Sequence, residues 1–332
     1  MKMKKMDFAK YKTEIFNDIS NEKFEQLSIF AFKHQFENNL IYRQFCDCLN
    51  VIPEKIIKIK DIPFLPISFF KTQKVVSGDF NNFTIFKSST TTGTTSSSHY
   101  VGDVELYVKS FTEAFNYFYG NPEKFVILAL LPSYIERQDS SLVYMVNGFL
   151  KQTNADGGFF LNDYENLFNQ ITKLEEQERK YILLGVSFAL LDFALKYNVT
   201  CNNGIIMETG GMKGRRKELT RTELHNILCK SFGVSKIHSE FGMTELLSQA
   251  YSQADGMFNC PPWMRVYIRE TSDPLTISDA GNGALNIIDL ANINSCCFIE
   301  TSDLGTVSTD GTFTVTGRFD QAEVRGCNLM AI

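Results

Sequence analysis

No C-x-x-C pair occurs in this 332-residue chain, although it carries eight cysteines. Cys46 and Cys48 are too close together for a zinc knuckle, and Cys296 and Cys297 are adjacent. Cys201, Cys229, Cys260 and Cys327 stand alone. A zinc framework is therefore not indicated, and free buried thiols in a reducing compartment are expected for all but Cys327. Positive charge is not in excess either. The formal net charge is -5, which leaves no electrostatic footprint for nucleic acid or an anionic membrane. The basic start, "MKMKKMDFAKYK", is not followed by the apolar stretch of a secretory leader. Long apolar runs are missing too. The longest, "YILLGVSFALLDFAL" (Tyr181 to Leu195), is short for a membrane span and contains Asp192, so a buried core helix is expected there. A cytoplasmic location is expected by default, and in so mildly acidic a chain any polyphosphate ligand is expected to be held locally by backbone amides, a few cations and a metal ion.

What is present is a large apolar inventory. Hydrophobic residues make up 44% and charged residues 21%, enough to bury a core without staples. Phe24, Leu27, Phe30, Phe32 and Phe36 recur at helical spacing near the start. "IPFLPISFFKTQKV" (Ile62 to Val75) contains Pro63 and Pro66 and reads as a connector laid on the core. A helix is expected over 104–118. "KFVILALLP" (Lys124 to Pro132) suits a fully buried strand. A helical segment is expected from about Leu167 to Asn198, then the strand "NGIIMETGG", then a helix capped by Thr220 with Glu223 three residues on. After Pro261, short strands alternate with Gly, Asp and Asn turns. The pattern is α/β with a smaller β-rich subdomain at about 261–316 and a helical segment at 1–60.

Residues 88–98, "SSTTTGTTSSS", place ten hydroxyl side chains around Gly93. After a strand, such a loop offers amides and hydroxyls to a phosphate. It has neither the spacing nor the lysine of a Walker loop, and a solvated linker has the same composition. Downstream come "EFGMTE" (Glu240 to Glu245), "TSDLG" (Thr301 to Gly305) and "GRFDQAEVRG" (Gly317 to Gly326). In this order, the motifs resemble the signature of adenylate-forming enzymes, the superfamily of acyl-CoA synthetases and luciferases. "IPFLPISFFKT", "ETGGMKGRRKEL", "EFGMTELLSQAY" and "EVRGC" look like its acyl-protein synthetase (LuxE-like) branch. The likeness runs from about Ile62 to Leu329.

That resemblance implies a ligase with ATP and Mg²⁺ as cofactors, built on a large adenylation domain (1–316) of stacked α/β subdomains, with 317–332 as a short tail. By this resemblance, the superfamily's lysine-bearing C-terminal domain is expected to be missing. By the same resemblance, Ser88, Ser89, Thr90, Thr91, Thr92, Gly93 and Thr94, with Thr95, clasp the β- and γ-phosphates. Thr244 bonds the α-phosphate and Glu245 helps hold Mg²⁺. Phe241 packs on the adenine beside Gly242, and Gly210 and Gly211 admit the base closely. Asp303 accepts from the ribose, and Arg318 contacts the ribose or a phosphate. The family's loop glycine is replaced by Thr90 and its loop lysine is missing, so Lys213 or Arg215 is expected to supply that charge. Cys327, in "EVRGCNL", matches the cysteine that takes the acyl group in this branch. Arg325, two residues earlier in the sequence, is a positive charge expected to favour the thiolate.

Plainer readings stand beside these. Glu245 could open a helix, Asp303 and Asp320 could be turn residues, and Arg318 could be a surface ion pair. His238 or His99 could act as a base, though a lone histidine is more often structural. "LLPSYIERQDSSLVYMVNGF" and "ADGGFF" are expected to line the acyl pocket. The substrate class is a carboxylic acid, with a fatty acid as the family expectation and an acyl-accepting reductase as a possible partner. The rivals are an acyl-CoA ligase using external CoA and a non-catalytic nucleotide-binding homologue.

Overall fold

The computed structural model describes residues 7–89, 95–132, 139–153, 156–210, 219–270 and 273–318. It begins with three helices, α1 (Phe8–Glu14), α2 (Asn21–Asn38) and α3 (Leu40–Cys48). Asp7, Ser20 and Asn39 cap them by accepting amide bonds from Lys10, Lys23 and Tyr42. Phe24, Leu27 and Phe32 are fully buried on α2, as their spacing predicts. The proline-bearing connector forms a two-residue strand, β1 (Leu65–Pro66), and a single turn, α4 (Phe69–Thr72). An antiparallel hairpin follows, β2 (Thr84–Lys87) and β3 (Ser98–Val101).

The central unit alternates α5 (Val104–Tyr119), β4 (Val126–Leu130), α6 (Ser141–Gln152), β5 (Gly158–Phe159), α7 (Tyr164–Glu176), β6 (Tyr181–Val186), α8 (Ser187–Lys196), β7 (Gly204–Thr209), α9 (Arg221–Phe232) and β8 (His238–Phe241). Strands β5, β4, β6, β7 and β8 lie side by side, all parallel. Thr220 and Glu223 form the expected capping box on α9.

The apolar run from Tyr181 is not one helix. Its first six residues are β6, buried at every position between β4 and β7, and only Ser187 onward is helical. A strand covered on both faces loses its period of two, so its composition cannot be told from that of a buried helix. The expected 167–198 helix is accordingly two helices separated by a strand.

Beyond β8 the strands run antiparallel: β9 (Ala250–Ser252), β10 (Phe258–Asn259), β11 (Met264–Arg269), β12 (Ile277–Ser278), β13 (Gly281–Asp289), β14 (Phe298–Val307) and β15 (Phe313–Arg318). They join the parallel strands in one hydrogen-bonded path, β12-β11-β13-β14-β15-β10-β9-β8, with β1 paired in parallel on β14. The β-rich third thus continues the sheet of the central unit. Among the described residues, no helix is long and apolar enough to cross a membrane.

Candidate active site

Three separate stretches of chain meet near Glu245. The first is the neck of the hydroxyl loop. The Ser88 amide donates to the Ser97 carbonyl at 3.1 Å, and the Ser97 amide donates to Ser88 Oγ at 2.9 Å. Ser89 is exposed beside the neck, while Thr90 to Thr94, with Gly93, lie outside the described residues. The second is the turn after β8, where Glu245 is buried and Thr244 half-buried. Neither residue opens a helix. The third is the β14–β15 ladder. There Asp303 faces Arg318 across the strands, with Arg318 Nε 3.1 Å from Asp303 Oδ1. Asp303 is therefore a buried mid-strand residue rather than a turn residue, and Arg318 is an exposed cation lying over it.

Electrostatics ties these groups together. Burial raises the Glu245 carboxyl, a hydroxyl bond from Ser97 and the charge of Arg318 pull it back, and Asp303 pushes it further up. Burial likewise raises Asp303 against the pull of Arg318. Two carboxyls starved of water, with one exposed guanidinium paired to only one of them, form a site that gains from a further cation. Among the described residues, no group of three or more His, Cys, Asp or Glu could hold a metal ion. One carboxylate suits Mg²⁺ when phosphate oxygens and water complete its shell, so Glu245 fits such an ion held jointly with a polyphosphate.

The ends of β7 and β8 supply the next wall. Ser187 Oγ donates to Glu208 Oε2 at 2.9 Å and lies 2.7 Å from the Gly210 carbonyl. Gly210 adopts φ +67, a left-handed conformation that favours glycine. Burial alone would raise Glu208, but His225, Arg221, Ser187 and Ser239 hold it below the ordinary range. Arg221 also reaches the Val315 carbonyl at 3.3 Å and lies over the Phe258 ring. Phe241 is half-buried against Phe258 and Phe313. A Cβ on Gly242 would come within 2.6 Å of Glu240 Oε1, so a larger residue there would push the end of the Glu240 side chain aside. Gly211, Lys213, Arg215, Asp320, Arg325 and Cys327 lie outside the described residues.

Three side chains that sequence reasoning missed or assigned differently hold the 244–248 turn. Asp289 accepts from the amides of Leu247, Ser248 and Ala291 at 2.8, 2.9 and 3.1 Å, and from Ser248 Oγ at 2.5 Å. Asn292 Nδ2 donates to the Glu245 carbonyl at 2.7 Å. His99 Nδ1 lies 2.8 Å from the Thr244 carbonyl. The available signal was the run "LNIIDLANINSCCF", where Asp and Asn interrupt an apolar stretch. His238 bonds Tyr119 OH at 3.1 Å. Burial pushes His99 and His238 each down to about 4, well below the range of a base working near neutrality.

Between α5, α6 and the parallel strands lies a small apolar cavity. Phe115, Met145, Phe149, Leu184 and Met207 line it, with Glu240 and Tyr251 also in the lining. Met145 and Phe149 come from the first of the two segments expected to line an acyl pocket; "ADGGFF" contributes none of the lining.

This fold, with a hydroxyl loop beside a buried turn carboxylate and an Asp–Arg ladder, is that of the adenylate-forming ligases. An open conformation of 2-hydroxyisobutyryl-CoA ligase in complex with 2-HIB-AMP and CoA superposes with a TM-score of 0.71 at 11% identity, over 93% of this chain and 78% of that one. ATP-bound MatB from Rhodopseudomonas palustris matches at a TM-score of 0.55 and 12% identity, over 70% of this chain. The match spans 47% of MatB, about half its length. A curated relative, the long-chain-fatty-acid–luciferin-component ligase of Vibrio harveyi, is 23% identical over 90% of this chain and 84% of its own length. The family model "Acyl-protein synthetase, LuxE" matches residues 10–331, so the chain belongs to that family of ligases.

Proposed function

We propose that this chain activates a long-chain fatty acid with ATP and then carries the acyl group on Cys327. In the first step a carboxylate oxygen of the acid attacks the α-phosphorus, the bond to the bridging oxygen breaks, and pyrophosphate leaves. In the second, the Cys327 thiolate attacks the acyl carbon of the mixed anhydride and AMP leaves with the bonding electron pair. The observation that carries the reading is the convergence of Ser97, Glu245, Asp303 and Arg318 from three distant stretches.

Within this reading the hydroxyl loop, Ser88 to Thr95, holds the β- and γ-phosphates, and Lys213 adds the missing cation. Thr244 bonds the α-phosphate. Glu245 would hold Mg²⁺, which supplies charge neutralisation to the phosphates when bound. Asp303 accepts from the ribose and Arg318 steadies a phosphate or ribose oxygen. Phe241, Gly242, Gly210 and Gly211 frame the adenine. Most of the rate comes from positioning and charge compensation.

The test is acid-dependent exchange of labelled pyrophosphate into ATP, run with Mg²⁺ and a panel of fatty acids. Exchange is expected in the wild type and should fall about 100-fold in Glu245→Gln. Labelled acid should remain on the protein and be lost from Cys327→Ser, with exchange retained. No acid-dependent exchange would sink the adenylation step. Thioester formed only after CoA is added would sink the Cys327 step.

A further inference from the structure

The Thr244–Glu245 turn belongs to neither a helix nor a strand, so its backbone polar groups need partners from elsewhere. The Leu246 amide donates to the Met243 carbonyl at 3.1 Å. The Leu247 and Ser248 amides go to Asp289, and the Glu245 carbonyl takes the Asn292 bond. These contacts fasten the downstream part of the turn to the end of β13. The Thr244 carbonyl is held differently, by His99 from β3, the strand that leads out of the hydroxyl loop.

A carbonyl only accepts, so Nδ1 of His99 must carry the hydrogen. The ring is buried at 1% exposure and packs edge-on to Phe70 at 5.7 Å. Burial lowers its pKa, with the bond to the Thr244 carbonyl opposing, and among the described residues the other ring nitrogen, Nε2, is buried without a hydrogen-bond partner. The imidazole is therefore a neutral donor locked in one tautomer near neutral pH, unsuited to taking a proton at Nδ1. Two residues upstream, just before β3, the Ser97 hydroxyl is among the groups that lower the Glu245 carboxyl. The segment leading out of the loop thus bonds the backbone of the turn through His99 and bears electrostatically on its side chain through Ser97.

We propose that His99 is a positioning residue that locks the outgoing strand of the hydroxyl loop to the Thr244–Glu245 turn. The inference rests on the reading of that loop and turn as the two sides of the phosphate site. A fixed imidazole length sets the spacing between them, so that phosphates held by the loop meet Thr244 and Glu245 in register. A misplacement of about 1 Å at such a site is enough to cost on the order of 100-fold in rate.

Asparagine and glutamine separate this role from simple filling. Both are polar and of similar size, but the amide nitrogen of His99→Asn replaces Nδ1, whereas that of His99→Gln replaces Nε2. His99→Asn should keep wild-type protection of the Leu246, Leu247 and Ser248 amides against hydrogen exchange. His99→Gln should exchange them roughly fivefold to tenfold faster. In pyrophosphate exchange, His99→Gln should lose about 100-fold in kcat and need more Mg²⁺ for half-maximal rate, with KM for the acid unchanged. His99→Asn should recover most of that loss. Equal behaviour of the two variants, or loosened amides in His99→Asn alone, overturns the inference. Absence of exchange in the wild type overturns the adenylation reading instead, and the Asn–Gln difference in amide protection still decides the role of His99.

Discussion

The two halves of the sheet are held together by different physics. In the parallel half, β4 and β6 are buried at every position and enclosed by helices. Packing of Leu, Ile, Val and Phe is what stabilises them. In the antiparallel half, β14 alternates, and its buried face carries Thr301 and Asp303 as well as Ile299 and Val307. Buried polar groups there are joined in a network: Asp289 to the 247–248 amides, Ser248 Oγ to Trp263 Nε1 at 2.9 Å, Arg269 to Asn286 and the Thr301 carbonyl. The candidate site lies where β8 leaves the first half for the second. A packed half supplies rigidity cheaply, whereas a networked half can aim individual carboxylates, at the risk of a large penalty when one member is lost.

That contrast can be broken by three measurements. The largest effect is expected at Asp289→Ala, which strips the acceptor from three buried amides and the Ser248 hydroxyl. Urea unfolding should show a loss of about 5 kcal/mol, with pyrophosphate exchange impaired in whatever folds. A loss no larger than that of an ordinary surface substitution would remove the basis for treating this half as a network. Next is Leu183→Ala, at a fully buried position on β6. It should cost about 4 kcal/mol in the same unfolding experiment while leaving kcat per folded molecule unchanged. A matching drop in kcat would show that the packed half is not a passive support.

The third concerns Glu240, on the strand shared by both halves. Burial raises its carboxyl to about 7 from an ordinary 4.5, with the Thr209 hydroxyl pulling down and Glu208 pushing up. A carboxyl raised by folding favours the folded state while protonated. Its contribution is therefore full below about 4.5 and is lost as pH climbs through about 7. Wild-type stability should fall by up to about 3 kcal/mol across that window. Glu240→Gln, which keeps an acceptor for Thr209, should flatten it. An unchanged pH profile in the variant would move the titration to another group.

Much of this was readable beforehand, for identifiable reasons. Thr220 and Glu223 announce a capping box through spacing alone, and the box is present. "KFVILALLP" reads as a buried strand because proline ends an apolar run of strand length. The same logic failed at Tyr181, where β6 runs straight into α8 with no proline or polar break. Glu245 and Asp303 were picked out by motif, and both are buried within one electrostatic neighbourhood. Asp289, Asn292 and the actual use of His99 were not legible. Each acts on the backbone of a turn tens of residues or more away, and a backbone carbonyl or amide leaves no mark in a sequence.

The sequence by itself determined the order of the chemistry-bearing segments and the family they belong to, because local composition and spacing survive without a fold. It also determined where α9 begins, because the Thr220–Glu223 capping box is short-range. Only the tertiary structure decided that the β-rich third continues the central sheet and that Asp303 lies under Arg318. It alone decided, too, that the hydroxyl loop and the Thr244–Glu245 turn share a histidine. Those facts depend on strand pairing and burial between residues far apart in the chain, where register and desolvation are set by the whole packed assembly.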